Sequence, residues 1–187
     1  MVFIHDTQLS LAAAVDLVNT SPETSSEGED GLVDLADLNR FLDERPYSGR
    51  LERDAAELAA LRSIRPRLRA FWAVDRDDAV SLVNDMLRDA RAVPRLVSHE
   101  GFEQWHIHGT DDDEPLATRI LVETAMAFID VIRADEYERV RVCSADDCRS
   151  VYIDYSRNKS KRYCDTGNCG NRMNVNAYRR RKAAGSA

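Results

Sequence analysis

The sequence predicts an α+β protein: a predominantly α-helical N-terminal domain with one small antiparallel β-hairpin, followed by a small C-terminal module organised by cysteines. Three observations predict it. Apolar residues recur at three- and four-residue steps through most of residues 1–135. Two alternating runs rich in aromatic or β-branched residues, 95–98 and 102–108, interrupt that helical period. All four cysteines lie in two pairs, Cys143 with Cys148 and Cys164 with Cys169, spaced C-x4-C, fifteen residues, C-x4-C.

Taken in order, residues 9–19 read as a first helix with Leu11, Val15 and Val18 on one face. Residues 21–31, rich in Gly, Ser, Pro and acid, read as a mobile loop. Asp34 is placed to cap a helix over 34–45 that buries Leu35, Leu38, Phe41 and Leu42, with Pro46 and Gly49 ending it. A longer pattern over 51–73 carries Leu58, Leu61, Ile64, Leu68 and Phe71, and Pro66 predicts a kink or break inside it. Residues 76–91 repeat the helical period with Ala79, Val83, Met86, Leu87 and Ala90. The two alternating runs predict a hairpin around Glu100–Gly101. Residues 115–133 are apolar almost all round, with Arg119, Glu123, Asp130 and Arg133 as a narrow polar stripe, so this helix belongs at the centre. The domain boundary is expected near Asp135–Arg139, giving domains over 1–135 and 139–187. The tail then reads as a strand over 139–142, a cysteine knuckle, a hairpin across 150–163, a second knuckle, and a helix over about 171–183 with Asn171 as N-cap.

With 187 residues, 43% of them hydrophobic, the chain can bury one ordinary core plus an appendage. It has no run of about eighteen apolar residues, so no membrane span is expected. The N-terminal stretch lacks a basic region, and Asp6 and Asp16 interrupt its apolar part, which makes it a poor signal peptide. A cytoplasmic location is expected, where paired cysteines more often bind metal than each other. The net charge of −7 hides an asymmetry: from Arg141 onward eleven Lys/Arg face four Asp/Glu, a balance of +7, and the preceding 140 residues balance at −14. An acidic body with a basic end points to a polyanionic partner for that end.

Two short cysteine loops can close four thiolates around one Zn²⁺ with no position left for substrate, which makes the site structural. About 45 residues cannot bury enough apolar surface to fold alone, and metal binding supplies folding free energy on the order of 10 kcal/mol. Knuckle, hairpin, knuckle and helix describe a treble-clef or ribbon-type zinc finger; two disulfides or four unrelated thiols are the alternative. Basic residues surround the scaffold. Arg157, Asn158, Lys159, Lys161 and Arg162 fall at the hairpin tip and its return strand, Asn171 and Arg172 open the last helix, and Arg179, Arg180 and Arg181 end it together with Lys182. Fixed cations along one surface suit phosphate, and Arg and Asn also read base edges. A solvated, helix-ending basic tail is the plainer alternative. Tyr152, Tyr155, Tyr163 and Tyr178 interleave with these residues and read as module core rather than as base-stacking groups.

Cys169-Gly170-Asn171-Arg172 resembles the name-giving motif of the CGNR zinc-finger family. Cys143-x4-Cys148, Ser156-Arg157-Asn158, Lys161-Arg162-Tyr163-Cys164 and the basic helix that follows are similar to it as well. Asp16-Leu17-Val18-Asn19-Thr20 resembles the opening motif of the ABATE domain that this family usually carries upstream. The resemblance is to bacterial transcriptional regulators, often labelled stress-induced. It implies Zn²⁺ on the four cysteines, DNA contact through the finger, and no enzyme activity.

Other constellations are less specific. His106 and His108 share a strand face, and with His99 or Asp111–Asp113 they offer a second metal site, the plainer reading being surface or packing residues. Trp72 and Trp105 read as core. Asn19 and Thr20 either cap the first helix or line a candidate ligand pocket. Catalytic signatures such as a P-loop, G-x-S-x-G or H-E-x-x-H are missing. The reading is a zinc-dependent DNA-binding regulator whose body senses a small-molecule effector or mediates homodimerisation. Its alternatives are a protein-interaction or RNA-binding module, and a ligand-binding or enzymatic body recruited by the finger.

Overall fold

A computed structural model describes residues 2–25, 28–45, 47–99 and 102–184. Among these residues six α-helices and two strand pairs follow in chain order: α1 (His5–Asn19), α2 (Leu35–Asp43), α3 (Ala55–Arg69), α4 (Arg76–Asp89), β1 (Arg95–His99), β2 (Phe102–His108), α5 (Leu116–Arg133), β3 (Val140–Val142), β4 (Val151–Ile153) and α6 (Cys169–Ala184). The pairs β1–β2 and β3–β4 are both antiparallel.

The central helix is α5, as its near-continuous apolar surface requires, and it packs on α1, α3 and α4. Phe71 and Phe128 stack at the middle with ring centroids 3.8 Å apart, and Trp72 meets Phe128 edge-on. Side-chain caps fix three helix starts. The Asp34 carboxylate accepts from the Ala36 and Asp37 amides, Asp54 from Glu57, and Asp75 from Asp77 and Asp78. The expected break at Pro66 does not occur: α3 runs through to Arg69 before tightening into a 3-10 turn over Ala70–Trp72. Pro66 lies in the last turn, where its missing N–H costs one backbone bond close to the helix end.

Several expectations need correction. Trp105 is 75% exposed, with Leu96 and Ile107 beside it on the outward face of the two-stranded hairpin. A sheet of two strands has only one face to bury, and His106 and His108 occupy that side. The polar stripe of α5 is divided: Arg133 is exposed, whereas Arg119 turns inward. Arg119 is buried and donates to the carbonyls of Ser48, Arg50 and Glu114, holding the 48–50 loop. Gly49, at φ 75°, leaves room for that guanidinium; a Cβ there would come within 2.8 Å of Arg119 Nη1 and 2.6 Å of the Asp112 carbonyl. The 21–31 stretch is pinned on both sides of residues 26 and 27. Thr24 is buried and donates to the Ser21 carbonyl, and Asp30 forms a two-pronged ion pair with Arg65 at 2.7 and 2.8 Å. The expected hairpin tip at Glu100–Gly101 and the helix stop at Pro46 lie outside the described residues.

The cysteine module is built into the body. Val151 and Ile153 of β4 belong to the same apolar core as α1, α3 and α5. The Trp72 indole donates to the Tyr152 carbonyl at 3.2 Å, Tyr137 Oη donates to the Phe71 carbonyl at 2.7 Å, and Ser150 Oγ donates to the Thr24 carbonyl at 3.2 Å. The strand pair also differs from expectation. The first knuckle is itself the turn between β3 and β4, and the Cys143 amide donates to the Ser150 carbonyl, extending the ladder. No strand is assigned to the predicted return segment up to residue 163; it meets the first knuckle where the Ser144 amide donates to the Arg162 carbonyl.

Candidate metal centre and basic surface

β3 and β4 deliver Cys143 and Cys148, the loop after the 156–160 turn delivers Cys164, and Cys169 is the first residue of α6. All four are buried free thiols. Their sulfurs lie within 4.8 Å of one another, with Cys148–Cys164 and Cys164–Cys169 separations of 3.7 Å. Four sulfurs at about 2.3 Å from one tetrahedral Zn²⁺ stand about 3.8 Å apart, so the spacing fits that ion. It does not fit disulfides, whose sulfurs are about 2.05 Å apart. Burial pushes the Cys143 and Cys169 thiols up, at Cys169 against the lowering hydrogen bond from Arg172, whereas at Cys164 burial is outweighed by hydrogen bonds from the Gly167 amide and the neighbouring cysteines, which bring it down. Packed sulfurs of this kind ionise together only around a cation.

The surroundings of the sulfurs are specific. The Cys164 amide points at Cys143 Sγ, 3.5 Å away. Arg172 Nη2 donates to Cys169 Sγ at 3.2 Å while its Nη1 donates to Asp147 in the first knuckle. Arg172 therefore ties the two knuckles together across the sulfurs, the kind of outer contact that orients metal ligands. Asn171 is not the N-cap: α6 starts two residues earlier, because Cys169 is fixed in its first turn, and Asn168, at φ 51°, precedes it.

The basic residues divide into two groups. Arg157, Asn158, Arg162, Asn171, Arg179, Arg180 and Arg181 are exposed, and among the described residues none of them forms an ion pair. Lys159 is held by Glu136, at 2.9 Å, and by Glu138; Lys161 pairs with Asp165 at 2.5 Å and lies over the Tyr152 ring. Of the tyrosines, Tyr152 is core as expected, whereas Tyr178 is 60% exposed on the basic helix.

The sequence reading missed Asp154, which shapes the basic turn. Fully buried, it accepts from the Ser156 amide at 2.8 Å and the Lys161 amide at 2.9 Å. Buried Arg139 closes the other side, donating to the Asp154 and Ser156 carbonyls at 2.7 and 2.8 Å. Burial alone would raise the Asp154 carboxyl; the hydrogen bonds from Ser156 and Lys161 outweigh it and hold the group low. The sequence signal was Asp154-x-Ser156, an Asx-type turn ahead of the basic run.

Asn19 and Thr20 both line a cleft of about 250 Å³, and each also makes a structural contact. Thr20 Oγ1 donates to the Leu17 carbonyl at 2.7 Å and ends α1, as a capping residue would. The Asn19 amide reaches across to the Val151 backbone, and it also lines a cleft of about 280 Å³ shared with Asp30, Cys148, Cys169 and Arg172. In the body, His99, His106 and His108 converge, and Asp112 stands behind His108 at 3.3 Å; Asp111 instead pairs with Arg95. They edge a cavity of about 470 Å³, where burial pushes the Glu123 carboxyl up to about 7.

Four buried sulfurs gathered within 4.8 Å, between a short strand pair and a helix, define a zinc-finger protein able to hold one structural Zn²⁺. The family model for ABATE, described as "Putative stress-induced transcription regulator", matches residues 11–135, and that for the CGNR zinc finger matches residues 139–182. The chain belongs to the ABATE family and carries a C-terminal CGNR zinc finger. Neither description is of an enzyme. Comparison with curated proteins gave no match. Among the described residues, no helix is long and apolar enough to cross a membrane.

Proposed function

We propose that the protein regulates transcription by binding duplex DNA through the basic surface of its finger. The observation that carries this reading is the set of exposed cations on a fixed frame. Arg157 and Arg162 flank a turn locked by Asp154, and Arg179, Arg180 and Arg181 project from a helix anchored at Cys169. Unpaired arginines on rigid backbone are what phosphate contact requires, and Asn158 and Asn171 add groups able to read base edges. Lys159, Lys161 and Arg172 join the surface only by leaving carboxylates that now hold them. One finger offers few contacts, so the body acts as effector-binding or dimerisation domain, and a dimer supplies the affinity. The role is binding rather than catalysis.

The test is the salt dependence of full-length protein binding to random-sequence duplex. Each phosphate contact contributes about −0.9 to the log–log slope. Several contacts should give a slope steeper than about −3, and the Arg157→Ala, Arg162→Ala double variant should flatten it by about 2. No binding to duplex at low salt, with retention of an acidic protein or single-stranded RNA instead, overturns the DNA reading.

A further inference from the structure

The body holds a cluster that the finger and its partner do not use. β1 and β2 place His99, His106 and His108 on one face, and their ligand nitrogens lie within 4.8 Å of one another. His106 Nε2 stands 3.2 Å from His99 Nε2 and 3.1 Å from His108 Nε2. Three nitrogens at about 2.05 Å from a tetrahedral ion stand about 3.3 Å apart, close to both values.

The far sides of the rings fix the tautomers. His106 Nδ1 lies 2.9 Å from the Gln104 carbonyl, which can only accept, so Nδ1 carries the hydrogen. In the neutral ring its Nε2 is then a lone pair aimed at the other two imidazoles. His108 repeats the arrangement, with Nδ1 toward the Asp112 carboxylate. With both rings neutral and Nδ1 protonated, the two Nε2 lone pairs face each other at 3.1 Å, an arrangement that a shared cation, whether a proton or a metal ion, relieves. A ligand imidazole whose second nitrogen is bound to a carbonyl or carboxylate is the usual support of a metal site.

We infer that His99, His106 and His108 form a second metal site, binding one divalent first-row transition ion of the kind that imidazole suits, such as Zn²⁺ or Co²⁺. It differs in kind from the finger. Four sulfurs close their ion, whereas three nitrogens leave a fourth position for water or a small ligand. That position opens on the 470 Å³ cavity, which Tyr47 also lines. The buried Tyr47 hydroxyl has no hydrogen-bond partner among the described residues, and a molecule in the cavity would provide one. The site belongs to the body and stands apart from the DNA reading.

Equilibrium dialysis of the full-length, reduced, zinc-containing protein against excess Co²⁺ tests it. The expected result is one zinc and one cobalt per chain, with visible cobalt bands but no strong sulfur-to-metal charge-transfer absorption. Asp112→Asn, a change at an exposed side chain, should weaken cobalt binding about tenfold or more. His106→Ala combined with His108→Ala should abolish it and leave one zinc per chain. A single metal per chain in the wild type overturns the inference, as does cobalt binding unchanged in Asp112→Asn or retained by the double variant. The first two measurements decide the matter even if the double variant fails to fold.

Discussion

The side-chain amide of Asn19 meets the backbone of Val151 with both ends: its Nδ2 donates to the Val151 carbonyl at 2.9 Å, and its Oδ1 accepts from the Val151 amide at 2.8 Å. In effect a side chain at the end of α1 serves as the next strand beside β4. Asn19→Ala leaves both backbone groups without their partners and should cost about 1–3 kcal/mol. Urea unfolding at constant m-value checks this, and a loss below about 0.5 kcal/mol would make the contact incidental.

Zinc should stabilise more than the finger. Because Val151 and Ile153 lie in the body's core, Cys164→Ser or a strong chelator should lower the thermal midpoint of the whole chain. The near-ultraviolet signal of Trp72, bonded to the Tyr152 carbonyl, should be lost in the same transition. A body melting at an unchanged temperature after metal loss would show that the core contact contributes nothing.

Arg172 should act first on the metal. Arg172→Ala and Arg172→Lys both break the bridge from Cys169 to Asp147, since an ammonium lacks the planar fork that spans two acceptors. Zinc affinity, read by competition with a chromophoric chelator, should fall about 10- to 100-fold in each. If zinc affinity is unchanged while DNA binding falls, Arg172 works on the nucleic acid instead.

Asp154→Ala should cost about 1–3 kcal/mol by orphaning the Ser156 and Lys161 amides. It should also loosen the turn that presents Arg157. Hydrogen exchange at Ser156 and Lys161 should speed up in the variant, and equal rates would show that the carboxylate does not hold the turn.

The Asp30–Arg65 pair predicts a pH dependence. The Arg65 hydrogen bond holds the Asp30 carboxyl below the ordinary carboxylate range, with the Leu32 amide adding to it. A lowered folded value means that the unfolded chain binds the proton more readily. The pair's contribution is therefore complete above about pH 4, near the unfolded value, and is lost as pH falls further. The stability gap between wild type and Asp30→Asn should stay constant from pH 7 to about 5 and shrink below about 4. A gap that widens on acidification would reverse the sign.

Helix periods and caps were legible because they are local: Asp34 caps α2 and Leu38, Phe41 and Leu42 are buried as expected, although Leu35, expected inside, is exposed. The cysteine spacing was legible because metal geometry restricts so few atoms. What could not be read depended on distant partners. The burial of Arg119 within the polar stripe of α5 depends on carbonyls 69 and 71 residues away. Trp105 looked like core because strand alternation tells which residues share a face but not which face is covered. The histidines were visible as a pattern, yet only the pairing of β1 with β2 brings His99 to the other two. Asp154 went unread because a lone aspartate among basic residues looks like a solvated charge until its burial is known.

The docking of β4 against α1 has a mechanical consequence. A finger on a slack tether could turn to meet a duplex while the rest of the chain tumbled freely. Here the basic and acidic segments share one apolar core through Val151 and Ile153, so a turn of one carries the other with it. Such a molecule would be oriented by the field of a polyanion before contact, cationic end first, and its angle of arrival would be set by the fold rather than by diffusion of a loose arm.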